Sequence, residues 1–311
     1  YNKMKSSFLA FTLLSLAFSA IIPPEANQNF TQIVGGLGYP VETHHITTTD
    51  GYINTYFRIQ AKNTKIKPGL PVIYCQHGLL DSSDSWIMND EALAPGLILA
   101  NAGYDVWIGN IRGNRYSLGH TIYNSSDFRS PYWDFSWQEM SIYDLPAAFI
   151  YINNITGQQI NYIGHSQGTC IMFAALARRD PVILKYLKHY IALGPVAYVD
   201  HTTSPIIHLI DVTDIGGIIL VTHGKKFLFL SQTEKTELEL LCTTALSVCI
   251  EQIKLFADVH PEVDNTKKLN IFVGHFPAGT STQNMEYWDQ MSKDKEYRMF
   301  DYGKAGNLKH Y

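Results

Sequence analysis

A basic excess is absent from this sequence of 311 residues: Lys and Arg number 24 against 28 Asp and Glu, a formal net charge of −4. A surface built to neutralise phosphate backbones needs the opposite balance, so nucleic acid is excluded as the main partner. Charge of either sign is modest, 17% of residues, while apolar residues reach 46%. That combination excludes disordered and coiled-coil chains and fits a globular protein with a real core. Cysteine is scarce too, since four residues in a chain of this length do not make a disulfide scaffold. Internal repeats and low-complexity tracts are lacking, and no apolar stretch reaches the ~20 residues of a bilayer span. Neither a cofactor nor a metal is expected. Aromatics, at 13%, suit an apolar substrate site and equally suit a large core.

The chain opens Tyr1-Asn2-Lys3 and has its first methionine at Met4. From there residues 1–20 read as a secretory signal peptide: Lys5 supplies the positive start, an apolar stretch follows, and Ala17-Phe18-Ser19 fits the small-x-small cleavage pattern. Three glycosylation sequons, at Asn29, Asn124 and Asn154, agree with passage through a secretory route. A secreted or lysosomal (vacuolar) location is therefore expected. Four cysteines allow three pairings. Cys75 falls in an expected strand and Cys170 in an expected helix, both as buried thiols. Cys242 and Cys249, on one straight helix, would stand roughly 10 Å apart along its axis. A disulfide tolerates at most about 7 Å between Cα atoms, so no bridge is expected there.

Alternation of short apolar runs with helical patterns sets the architecture. Residues 41–49 and 52–60 flank Asp50-Gly51, a hairpin signal. Strands are then expected over 71–76, 104–109, 160–164 and 186–193, and helices over 91–102, 140–153 and 167–179. Strands spaced by helices imply an α/β fold with a mostly parallel sheet covered on both faces. After Ala197 the rhythm changes, and residues 200–273 read as a helical insertion. The expected organisation is thus a core over 21–199, a helical cap or lid over 200–273, and a return to the core over 274–311.

Chemistry concentrates at Gly164-His165-Ser166-Gln167-Gly168, a G-x-S-x-G pattern that a chain of this composition yields about 0.1 times by chance. It stands between an expected strand and an expected helix, the setting of a nucleophile elbow. There a serine occupies a strained turn, small neighbours let strand and helix approach, and the helix N-terminus favours developing negative charge. Acyl transfer also needs a second backbone donor. Gln76-His77-Gly78-Leu79-Leu80 follows the strand over 71–76, where the N–H of Leu79 would join that of Gln167 in an oxyanion hole.

With these motifs on view, the chain resembles the acid lipase family of the α/β-hydrolases, which includes gastric and lysosomal acid lipases and steryl ester hydrolases. The resemblance rests on Gln76-His77-Gly78-Leu79-Leu80-Asp81-Ser82-Ser83, Ala102-Gly103-Tyr104-Asp105-Val106-Trp107-Ile108-Gly109-Asn110, Arg112-Gly113-Asn114, Tyr143-Asp144-Leu145-Pro146-Ala147, the elbow itself, and Pro277-Ala278-Gly279-Thr280-Ser281-Thr282-Gln283-Asn284-Met285. It implies Ser166 as nucleophile, Leu79 and Gln167 as oxyanion donors, a lipid-facing cap over 200–273, and long-chain acyl esters (triacylglycerol or steryl ester) met at an interface or membrane surface. No obligate protein partner is implied.

Two departures accompany the resemblance. A lid disulfide is frequent in the family; Cys242 matches one half, but the other half falls near Thr233. In this fold the triad acid and base follow two further strands, whereas after His275 the sequence offers a helix near 281–291, then 297–302, and stops at Tyr311. The family continues past this point with its Asp and His. His260, His275 and His310 are accordingly read as structural histidines and Asp301 as a surface carboxylate. The 311 residues alone are expected to be nearly inactive, with the strand at 186–193 left as an apolar edge by an incomplete gene product. A serine peptidase is a competing reading within the fold, and a catalytically inactive lipid-binding or regulatory protein is one from another class.

Overall fold

The computed structural model describes residues 22–199, 201, 224–230, 232–254 and 264–311. The expectations for residues 1–20, for most of 200–223 and for His260 lie outside these.

A first helix, α1 (Phe30–Gly36), starts at a capping box in which the Asn29 side chain accepts from the Gln32 N–H and the Gln32 side chain accepts from the Asn29 N–H. The hairpin β1 (Val41–Thr47) and β2 (Tyr52–Ile59) turns at Asp50-Gly51, where Gly51 has φ +98°. Next come β3 (Val72–Gln76), helix α2 (Pro95–Asn101), β4 (Asp105–Gly109) and the two-residue β5 (Gly119–His120). Helix α3 (Leu145–Thr156), β6 (Ile160–His165), α4 (Gln167–Ala177), α5 (Pro181–Tyr186) and β7 (Leu187–Leu193) complete the central part. The sheet order is β1-β2-β4-β3-β6-β7 with β5 beside β2. Strands β4, β3, β6 and β7 are parallel, and β1, β2 and β5 are antiparallel to their neighbours.

Both faces of the parallel strands are buried, which is why their sequences read as unbroken apolar runs. Along β3, Ile73 and Cys75 join Val106 and Ile108 of β4 under α1 and α2, packed by Phe30, Val34, Leu97 and Ala100. Val72 and Tyr74 join Trp107 and Tyr162 on the opposite face under α3 and α4, packed by Phe149, Ile152, Met172 and Ala175. Polar ties reinforce the layers. Arg58 on β2 donates from Nε and Nη2 to Asp105 on β4, at 2.8 and 2.7 Å. Arg112, fully buried, donates to Asp144 ahead of α3 and to Asp50 in the hairpin turn.

Prolines move two helix starts. Helix α2 begins at Pro95 rather than 91, because Ala94, preceding a proline, is held extended at φ −79°, ψ 111°. The helix expected over 140–153 opens as a π-turn, Met140–Asp144, with the Leu145 N–H bonded to the Met140 carbonyl, and only then becomes α3 with Pro146 in its first turn. The N–H that Pro95 lacks falls in the first turn of α2, where no intrahelical acceptor exists.

After residue 223 the described chain forms β8 (Lys226–Phe227), α6 (Gln232–Thr244), α7 (Leu246–Ile253) and α8 (Leu269–His275), then β9 (Thr280–Ser281), which pairs with β8, followed by α9 (Thr282–Asp294) and α10 (Gly303–His310). One expectation is overturned here. Cys242 and Cys249 form a disulfide with their Cα atoms 4.9 Å apart. The straight helix assumed for them breaks at Ala245, between α6 and α7, and the break folds the second cysteine back onto the first. Cys242 therefore has its partner downstream, and the position near Thr233 is not needed. Cys75 and Cys170 are buried free thiols, as expected. Among the described residues β7 is an edge of the sheet, with Ile191 and Leu193 exposed.

The disulfide can be checked directly. Peptide mapping without reduction should yield one cross-linked pair joining Cys242 to Cys249, with Cys75 and Cys170 alkylated only after denaturation.

Candidate active site

At the C-terminal end of β6 the chain reverses into α4 through a single residue. Ser166 has φ 51° and ψ −118°, a left-handed conformation costing a non-glycine residue about 1–3 kcal/mol. Its neighbours explain how the turn is tolerated. A Cβ on Gly164 would stand 2.6 Å from the Gly168 carbonyl oxygen, and one on Gly168 would stand 2.7 Å from the Gln76 carbonyl oxygen. Both glycines of the pattern are thus required by backbone running against backbone. The turn is pinned on the sheet side by the Ser166 N–H donating to the Leu193 carbonyl, 2.9 Å, and the Tyr162 hydroxyl donating to the Gly168 carbonyl, 2.7 Å. Helix α4 starts at once, with the Thr169 N–H on the Ser166 carbonyl at 2.8 Å. Ser166 itself is half-exposed beside a buried Gln167.

The loop after β3 lies against this turn. A Cβ on Gly78 would meet the Ser166 Cβ at 3.0 Å, so glycine is what lets residues 78–79 come to the serine. The buried His77 anchors the loop from below. Its Nδ1 faces the Gly78 carbonyl at 2.8 Å, while Nε2 faces the Ile111 N–H at 3.3 Å and the Asn114 side-chain amide at 3.1 Å. An imidazole donating through Nδ1 and accepting at Nε2 is neutral, and burial holds its pKa down at about 4. At the far side of the loop burial pushes the Asp81 carboxyl up to about 7, against hydrogen bonds from the Ser82 N–H and the Ser85 side chain. Leu80 carries φ 59°, and its carbonyl accepts from the Ala278 N–H at 2.6 Å.

Gly78, with Leu79 after it, and Ser166, with Gln167 after it, are accordingly brought together by two tight connections, β3-to-loop and β6-to-α4, on parallel strands paired in register from Val72↔Ile160 to Gln76↔Gly164. His275, His310 and Asp301, set aside in the sequence, have other partners. His275 bonds Asp84 through Nδ1 at 2.7 Å and the Glu25 carbonyl through Nε2 at 2.8 Å, wholly buried and structural. The His310 ring stacks on Tyr302. Asp301 accepts from the Gly303 N–H and the Asn307 side chain at the start of α10. Among the described residues no histidine hydrogen-bonds the Ser166 hydroxyl. The sequon residues Asn29, Asn124 and Asn154 are all exposed.

Sequence reasoning missed the supporting shell. The Gln167 side chain is buried, its Oε1 accepting from Asn284 and Trp288 of α9, more than a hundred residues downstream. Asn114, quoted above only for its resemblance, holds His77. No local pattern flags these partners, because each is defined by a contact across the fold.

The turn-borne serine and its glycine loop at the ends of parallel strands define an α/β-hydrolase, and a model of the alpha/beta hydrolase fold matches residues 71–211. A partial alpha/beta-hydrolase lipase region matches residues 30–90. Gastric triacylglycerol lipase of Mus musculus is 38% identical over 302 residues, and lysosomal acid lipase/cholesteryl ester hydrolase of Homo sapiens is 39% identical over 297. Each match covers 93% of this chain and 73% of the relative. A lipase of Caenorhabditis elegans, lipl-1, is 37% identical over 297 residues. The chain belongs to the acid lipase family. Likeness to solved structures is weaker: an esterase of Pyrococcus furiosus is 20% identical with a TM-score of 0.41, covering 60% of this chain and 62% of that one.

Substituting Gly168→Ala should cost about 3 kcal/mol in denaturant unfolding, since its methyl collides with sheet backbone that cannot retreat. Asp81 gives a pH signature. The folded carboxyl keeps its proton to about pH 7, while the unfolded one releases it near 3.8, so this group withdraws stability as pH rises through that window. His77 acts in the opposite direction between about pH 4 and 6.5, but equally in wild type and variant. Melting curves of D81N against wild type should therefore show a gain for the variant that grows from pH 4 to 7 and then levels off.

Proposed function

We propose that this chain is a serine ester hydrolase that cleaves acyl esters of lipids. The single observation carrying the reading is the left-handed, half-exposed Ser166 in the strand-to-helix turn, with Gly78 packed on its Cβ. In the proposed reaction Ser166 Oγ attacks the ester carbonyl carbon, and its proton passes to a general base. The carbonyl oxygen becomes an oxyanion received by the backbone N–H groups of Leu79 and Gln167, with the first turn of α4 adding a favourable potential. Collapse of the tetrahedral adduct expels the alcohol, which takes the proton, and leaves an acyl-enzyme on Ser166; water then releases the carboxylic acid by the same steps. No metal is called for. A lipid ester is favoured over a peptide because the relatives' names specify triacylglycerol and cholesteryl ester, and because the sequence from 200 to 273 contains apolar segments. Location in the secretory route, in a lysosomal or extracellular space, is proposed with it, and glycans on Asn29, Asn124 and Asn154 suit their exposure.

Without a base on Ser166 its hydroxyl is a feeble nucleophile, and an oxyanion hole with binding alone gives roughly 10³–10⁴ over water. A lipid-binding member of the family that does not hydrolyse is the alternative reading.

Hydrolysis of p-nitrophenyl butyrate, triolein and cholesteryl oleate by wild type and S166A separates these. Turnover that falls by about 10³ or more in S166A supports the serine mechanism. Turnover indifferent to S166A, or fatty-acid binding with no Ser166-dependent hydrolysis, would sink it and favour the binding reading.

A further inference from the structure

The turn that holds Ser166 is pinned by the sheet on one side only. The Ser166 N–H is held by Leu193 and the Gly168 carbonyl by Tyr162, both on β-strands. Gln167, whose N–H is the proposed oxyanion donor, projects its side chain away from those strands into a buried aromatic cluster. There its Oε1 accepts two hydrogen bonds, from Asn284 Nδ2 at 2.9 Å and from Trp288 Nε1 at 3.1 Å. Its Nε2 stands 3.5 Å from Met140 Sδ. Donation by two different side chains fixes which end of the amide points where, since a flipped amide would set its N–H₂ against the indole N–H.

Both donors are themselves fixed. Asn284 lies in the first turn of α9, fully buried, and accepts the Trp137 N–H at 2.8 Å while also donating to Thr280 Oγ1 at 3.1 Å. The Ser281 side chain caps the same helix through the Asn284 N–H, 3.0 Å, and is bonded to the Phe135 carbonyl. The Trp288 ring belongs to the buried cluster that includes Trp137. A strained φ/ψ pair persists only where the surroundings over-determine it. Here the strain at Ser166 is opposed from the sheet and, through the next side chain, from α9.

We propose that Asn284 and Trp288 are positioning residues of the active site: by clamping the Gln167 side chain they hold the Gln167 N–H and the Ser166 turn in the geometry that receives the oxyanion. The proposal rests on the serine-hydrolase reading for its kinetic consequence, but the clamp itself is a statement about backbone rigidity. Loosening it lets the donor drift without touching the substrate's binding surface, so the loss appears in kcat and not in KM.

The test uses W288F, which replaces the indole and its N–H by a smaller aromatic ring, Q167M, which removes the Oε1 acceptor and keeps the backbone N–H, and their combination. Hydrogen exchange read by mass spectrometry on residues 163–170 should accelerate by about tenfold in W288F and Q167M, with exchange in β3 and β4 unchanged. With p-nitrophenyl butyrate, kcat should fall by about tenfold with KM within about twofold. The double variant should be no worse than Q167M, because W288F then has no acceptor left to lose. Wild-type exchange protection in W288F, or losses that multiply in the double variant, would overturn the clamp. A wild-type rate indifferent to S166A would instead overturn the hydrolase reading, and the exchange measurement would still decide the clamp.

Discussion

The close crossing of α4 over β3 is the constraint on which the site depends. Backbone meets backbone where Gly168 passes Gln76 and Gly164 passes Gly168, at separations no Cβ could share. Only that approach allows a strand to become a helix in one residue, and only such an abrupt reversal leaves a serine at φ 51° with its side chain half-exposed. The strain is small beside the apolar area buried by α3 and α4 against the sheet, so the fold sustains it.

Around that crossing the protein is organised to keep polar groups satisfied at depth. His77 is held neutral by one donor role and one acceptor role, and the loop bearing Leu79 rests on it. Arg112 joins the β1–β2 turn to the start of α3 through Asp50 and Asp144, and the Asp84–His275 pair joins the loop after β3 to α8. Breaking such a pair would strand a buried charge, which is costlier than the pair is worth when intact. These ties act as fasteners between segments distant in sequence. The chain after residue 264 is consequently not an appendage: it supplies His275 to the core, Ala278 to the Leu80 carbonyl, and Asn284 and Trp288 to Gln167.

The helical hairpin of α6 and α7 illustrates how a local rule can mislead. Seven residues on a straight helix hold two cysteines out of reach, and the geometry of that argument is sound. A single break at Ala245 removes its premise and brings the Cα atoms to 4.9 Å. Helix continuity is decided by what each turn packs against, and just before the break Thr243 and Thr244 donate their hydroxyls back to the Glu239 and Leu240 carbonyls, a bonding that bends helices.

The elements, their order and the serine were legible in the sequence because each is written in local terms. Alternation places β1 and β2 about Asp50-Gly51, apolar runs mark β3, β4 and β6, and G-x-S-x-G between a strand and a helix marks the turn. What supports the serine is of another kind. That His77 is neutral, that burial raises the proton affinity of Asp81, that Asn284 and Trp288 grip Gln167, and that Cys249 reaches Cys242 all depend on distances between residues far apart along the chain or across a bend. Periodicity reports which face of an element is buried, but hydrogen-bond partners and proton affinities follow from what the packed neighbours present there, and those neighbours are settled only when the layers close.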